Sequence, residues 1–90
     1  MKINPKFVIY HDLIGLEAYV KSKSKKNDDY KYIGVIIDDT KNLIISKKEE
    51  KIKKYIKKDN MFRLELPENN KLLEVDGKKI LGVPENRIRI

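Results

Sequence analysis

Ninety residues with 40% hydrophobic side chains make one small domain with a single core. The chain has no cysteine, which removes disulfides, thiolate zinc sites and cysteine nucleophiles together, and no apolar run approaches membrane-spanning length. The formal net charge of +7 favours a polyanionic partner, nucleic acid or an acidic membrane, on a surface where both signs are dense. Met1-Lys2-Ile3-Asn4-Pro5 is not followed by an apolar segment of signal-peptide length, so a cytoplasmic location is expected.

Residues 1–13 read as an N-terminal extension. Pro5 opens a helical turn carrying Phe7, Val8, Tyr10, Leu13 and Ile14, and Gly15 ends it. So short an apolar segment needs a surface to lie against. Residues 16–23 alternate as a strand, with Leu16, Ala18 and Val20 on one face and Glu17, Tyr19 and Lys21 on the other. Residues 22–31 hold Lys23, Lys25 and Lys26 and no apolar side chain before Tyr30, which predicts an exposed basic loop. Two Ile-rich runs at 32–38 and 43–47 flank Asp38-Asp39-Thr40-Lys41-Asn42 and predict a hairpin.

Residues 49–58 fit both a helical stripe and strand alternation; their shortness and flanking strands favour a strand with Ile52 and Ile56 on one face. Met61 to Leu66 alternates, with Phe62, Leu64 and Leu66 inward, and residues 67–70 form a turn. A strand over 72–75 meets Asp76-Gly77, a strong short hairpin signal, with Lys79-Ile80-Leu81 returning. Pro84 starts a short C-terminal basic turn through Arg87 and Arg89. The sum is all-β: a small antiparallel barrel of about six strands, with short helical ends. One domain spans 1–90, divided into the extension 1–13, the barrel 14–83 and the terminal turn 84–90.

Catalytic material is sparse. His11 is the single histidine, beside Asp12, and adjacent side chains on a helical turn do not face each other. Asp38-Asp39 could reach a magnesium ion, but the same residues suit a hairpin turn, and the turn reading is preferred. No phosphate-cradling glycine loop or nucleophile elbow occurs. The lysines remain. A basic face is expected from Lys21, Lys23, Lys25 and Lys26 of the loop, Lys51, Lys53 and Lys57 of one strand, and Arg87 and Arg89 at the end. Strand alternation would hold Lys51, Lys53 and Lys57 opposite Ile52 and Ile56. Lys47, Lys48 and Lys71 are expected to lie outside that face. Tyr10, Tyr19, Tyr30, Tyr32 and Tyr55 offer rings for stacking among the lysines.

Four blocks, in order, resemble the archaeal ribonuclease P protein component 1 family. His11-Asp12-Leu13-Ile14-Gly15-Leu16 matches an opening block in which Glu is usual at the second position. Gly34, Val35 to Ile37, Asp38, Asp39, Thr40, Asn42 and Leu43 follow a Gly-x-Val-Val-Asp-Glu-Thr-x-Asn-Thr-Leu pattern, with one residue fewer before the leucine. Lys57, Phe62, Leu64 and Leu66-Pro67 form the third block. Val75-Asp76-Gly77 with Gly82-x-Pro84-Glu85-x-Arg87-Ile88 completes the set. Lys31 stands where a second glycine is common, and Val83 where arginine is usual.

The resemblance implies an Sm-like barrel that binds the RNA of ribonuclease P, a ribonucleoprotein removing 5′ leaders from precursor tRNA. It implies catalysis by that RNA with Mg²⁺, no cofactor or catalytic residue in this chain, and no membrane or DNA partner. It also implies a zinc-ribbon protein partner, with Phe7, Val8, Tyr10, Leu13 and Ile14 as its contacts. The alternative is an Sm/SH3-like RNA-binding barrel of a ribosomal or mRNA-associated complex; an independent nuclease is disfavoured.

Overall fold

The alternation of apolar and polar side chains is realised as one six-stranded antiparallel sheet, ordered β4-β3-β2-β1-β5-β6. The computed structural model describes residues 13–25, 28–66 and 71–82. Its strands are β1 (Glu17–Ser22), β2 (Lys31–Asp39), β3 (Leu43–Lys48), β4 (Lys51–Ile56), β5 (Asn60–Glu65) and β6 (Leu72–Asp76). Two 3-10 turns, η1 (Lys57–Asp59) and η2 (Gly77–Ile80), follow β4 and β6.

Phe62, Leu64 and Leu66, expected to point inward, do so, and with Ala18 and Val20 of β1 they share one core with Ile33 and Ile36 of β2, Ile44 of β3, Val75 and Ile80. Burying each of the large ones stabilises by about 1.5–3 kcal/mol. A flat sheet could not enclose that core from one side, and β2 supplies the curl. Its pairing with β1 skips between Tyr32 and Gly34, and its pairing with β3 skips between Ile36 and Asp38. Each extra residue is a bulge that bends the strand and increases its twist. Gly34 sits at the first bulge with φ +92°, and a Cβ there would lie 2.1 Å from the Lys47 carbonyl oxygen. Only glycine fits both the conformation and the approach.

Two sequence expectations are corrected. Asp76-Gly77 makes no hairpin and 79–81 returns as no strand: Gly77–Ile80 is the turn η2, with the Asp76 carboxylate accepting from the Lys78 N–H at 2.9 Å. Gly77 is needed because η1 crosses it, and a Cβ there would sit 1.6 Å from the Lys57 carbonyl oxygen. The strand expected within 49–58 forms as β4, with Ile52 and Ile56 on one face, 59% and 46% exposed, and Tyr55 on the other, turned to the core. The cause is register: Tyr55 pairs with Ile44, whose side chain is fully buried, so its parity points inward. Leu13, assigned to a protein partner, is fully buried in the chain's own core. The helical turn expected within 1–12, Lys26, the turn 67–70 and the C-terminal turn with Arg87 and Arg89 lie outside the described residues.

Candidate nucleic-acid interface

The β3–β4 hairpin turns through two residues only, Glu49 and Glu50, both in the left-handed region at φ 50° and 69°. This tight turn places Lys48 directly opposite Lys51, and Ser46 directly opposite Lys53. Ser46 and Lys48 share the parity of buried Ile44; Lys51 and Lys53 share that of Tyr55. Lys31, the first residue of β2, comes beside them. The result is a recess of about 170 Å³ lined by Lys31, Lys48, Lys51 and Lys53, with the rings of Tyr32 and Tyr55 in its wall and Ser46 buried within it.

Among the described residues, Glu49 is the one carboxylate lining the recess. Among the described residues none of the four lysines has a salt bridge; Lys47, of opposite parity, is 3.8 Å from Glu50. Lys48 holds its ammonium 5.7 Å from the centre of the Tyr32 ring. Burial raises the Tyr55 phenol above its ordinary value, and the nearby Ser46 hydroxyl offsets a little of that. Ser46 Oγ nevertheless makes no hydrogen bond of proper geometry.

The basic residues expected from sequence divide. Lys51 and Lys53 are exposed and face the recess. Lys25 is exposed, away from the recess lining. Lys21 leans over Tyr30, 5.1 Å from the ring centre. Lys23 is held between the Asp76 carboxylate and the Lys58 carbonyl oxygen, the latter at 2.9 Å. Lys57 leaves the set altogether. Its side chain is 0% exposed, with Nζ 2.6 Å from Asp39 Oδ1 and 3.1 Å from the Gly82 carbonyl oxygen, and bonded to the Thr40 carbonyl. The chain breaks strand pairing at η1, so continued alternation from Lys53 to Lys57 does not describe an exposed face. Asp39, weighed as a metal ligand or turn former, holds this ammonium. Lys31, Lys48 and Ser46 were missed. Lys48 shares the parity of Ile44, a signal that was present; the proximity of Lys31 needed the sheet.

The part of the sheet next to the recess, which shares Tyr32 with it, is different in character. Tyr19 and Tyr32 lie 5.2 Å apart, and the Arg63 guanidinium sits 4.1 Å from the Tyr30 ring centre. Yet the Tyr32 hydroxyl donates to Glu17 at 2.7 Å, which pushes its pKa up to about 12. Tyr30, raised by burial and by Glu74, donates to that carboxylate. Those carboxylates oppose phosphate contact there. Farther along, Val35, Ile37, Ile52 and Ile56 leave an exposed apolar area on β2 and β4.

The family model for ribonuclease P/MRP, subunit p29, matches residues 6–90. The chain belongs to this family. Ribonuclease P protein component 1 of Thermofilum pendens is 40% identical over 90 residues, covering 99% of this chain and 94% of the relative. The protein of the same name from Methanosphaera stadtmanae is 39% identical, covering 97% and 91%. That from Pyrococcus furiosus is 30% identical, covering 98% of this chain and 68% of the longer relative. The solved structure of Mth11, a homologue of human RNase P protein Rpp29, matches with a TM-score of 0.57 at 25% identity, covering 87% of this chain and 99% of that one. The resemblance read from four sequence blocks thus holds over nearly the whole chain, and the protein is a ribonuclease P subunit of this family. Within it, the Lys57 of the third block is a buried structural residue, and Gly77 of the fourth marks the crossing of η1 and η2.

Proposed function

We propose that this chain binds the catalytic RNA of ribonuclease P and supports removal of 5′ leaders from precursor tRNA, supplying no catalytic group of its own. The observation that carries the RNA reading is the convergence of Lys31, Lys48, Lys51 and Lys53 on one recess without ion-pair partners among the described residues, in a member of this family. Ammonium groups placed so neutralise phosphates and release counterions. Bond cleavage, with its Mg²⁺, is assigned to the RNA. A zinc-ribbon protein subunit is proposed to cover the apolar side of the molecule: Val35, Ile37, Ile52 and Ile56 are available to it, as is Ile14 at 49% exposure. Phe7, Val8 and Tyr10 are proposed to join that contact.

The test is reconstitution. Ribonuclease P RNA would be assembled with the other protein subunits, with and without this chain, and precursor tRNA cleavage followed. Leader removal should rise on adding the chain, and the chain alone should cleave nothing. In parallel, filter binding to the same RNA should show affinity falling steeply between about 50 and 200 mM salt. Absence of binding at the low end of that range would end the reading.

A further inference from the structure

The geometry points to a pocket for one unstacked nucleotide of single-stranded RNA at the β2–β3–β4 recess: its phosphate lies among Lys31, Lys48, Lys51 and Lys53, and its sugar or base reaches Ser46 beside Tyr32 and Tyr55. This rests on RNA being the partner and adds where, and in what form, the RNA is held.

Four observations converge on that ligand. The first is charge. Lys48 and Lys51 face each other across the ladder, and among the described residues neither makes a salt bridge. Like charges in that position repel, and an anion between them removes the repulsion. The second is Ser46. Its hydroxyl is buried, the residue is 1% exposed, and beside the Tyr55 phenol it makes no hydrogen bond of proper geometry among the described residues. An unsatisfied buried hydroxyl is unfavourable, and a ribose hydroxyl or base edge would satisfy it.

The third is shape. About 170 Å³ is over ten times the roughly 10–15 Å³ that a single water needs. A duplex keeps its bases stacked inside and presents a convex backbone, so it cannot fill the recess. A splayed nucleotide from a loop or single strand can, and the tyrosine rings give it a stacking surface. The fourth is the turn itself. Glu49 and Glu50 hold left-handed conformations that disfavour side chains. Strain of that kind collects at binding sites, and here it sets Lys48 opposite Lys51.

The experiment uses the full chain, labelled with ¹⁵N, titrated with a uridine hexanucleotide, a fully paired RNA duplex of the same length and inorganic phosphate, while filter binding to ribonuclease P RNA is measured separately. The hexanucleotide should shift amides at 31–33, 46–49 and 51–55, and bind at least tenfold tighter than duplex or phosphate. Ser46→Ala should lower that affinity about tenfold while leaving the melting temperature unchanged or higher. A serine that served only the fold would show the reverse. Lys53→Ala should weaken binding and flatten its salt dependence, whereas Lys54→Ala, one residue along and on the opposite face, should do neither.

Equal binding of phosphate would reduce the recess to an anion site and overturn the proposal. So would equal binding of duplex, or an Ser46→Ala variant of full affinity. Binding of ribonuclease P RNA with no shifts at the recess would defeat the pocket and spare the RNA reading; no binding of any RNA would defeat both.

Discussion

Replacing Lys57 with methionine should cost this chain a large part of its stability and none of its RNA contact surface. The ammonium has three acceptors arranged around it, the Asp39 carboxylate at 2.6 Å and the carbonyls of Thr40 and Gly82 at 2.5 and 3.1 Å. Both side chains of the ion pair are 0% exposed. Around the same point, Lys57 N–H donates to Asn42 and Gly82 N–H donates to Lys41, at 2.9 and 2.8 Å. The lysine therefore joins the β2–β3 turn, η1 and the segment after η2 at one position. Breaking a buried pair by removing one partner costs about 3–5 kcal/mol, because the remaining charge stays buried.

A domain of this size has only about 5–15 kcal/mol of stability in all. Lys57→Met and Asp39→Asn should each lower the melting temperature by at least about 12 °C, given roughly 4–8 °C per kcal/mol. Urea unfolding followed by far-ultraviolet circular dichroism measures the loss. The double variant Asp39→Leu, Lys57→Met should lose much less than the sum of the two single changes. Two results would refute the reasoning: single variants that each cost under about 1 kcal/mol, or a Lys57→Met protein of normal stability whose RNA affinity has fallen. The latter would restore Lys57 to the exposed basic face that its sequence position suggests.

Other expectations follow from the same geometry. Gly77→Ala should destabilise by about 1–3 kcal/mol or more in urea unfolding, since the new methyl would meet the Lys57 carbonyl at 1.6 Å and force η1 and η2 apart. Exchanging Glu49-Glu50 for Asn-Gly should stabilise the free chain by roughly 1–2 kcal/mol, because a two-residue hairpin turn with positive φ at both positions suits that pair; a loss of stability would contradict the assigned turn. The Asp76 carboxyl is held below its ordinary value of 3.8 by the hydrogen bond from the Lys23 ammonium and then by the Lys78 N–H. Its folded form thus favours the charged state, so its contribution is complete above pH 3.8 and disappears as pH falls through the lowered folded value. Asp76→Asn should therefore flatten the stability profile below about pH 4, and an unchanged acid limb would show the pair to be inconsequential.

What could be read from residues alone was whatever depends on near neighbours. Ala18 and Val20 against Glu17 and Tyr19, and Phe62 and Leu64 against Arg63 and Glu65, declare their faces by a period of two, and the structure keeps them. The family was legible too, because its motifs are local blocks. The basic face was only half legible. Lys51 and Lys53 were placed correctly as exposed, but the lysines that share their recess, Lys31 and Lys48, arrive from other strands. Lys48 was expected to lie outside the basic face, and it lies directly opposite Lys51.

The sequence by itself determined the strand alternation, the single core, the excess positive charge and the family. Only the tertiary structure decided which face of β4 turns inward, because its parity is set by the pairing of Tyr55 with buried Ile44 and not by the polarity of its own residues. It alone decided that Lys57 is a core residue. A lysine is buried or exposed according to whether a counter-charge reaches it, and the carboxylate that does so lies eighteen positions away, brought there by the curl of β2.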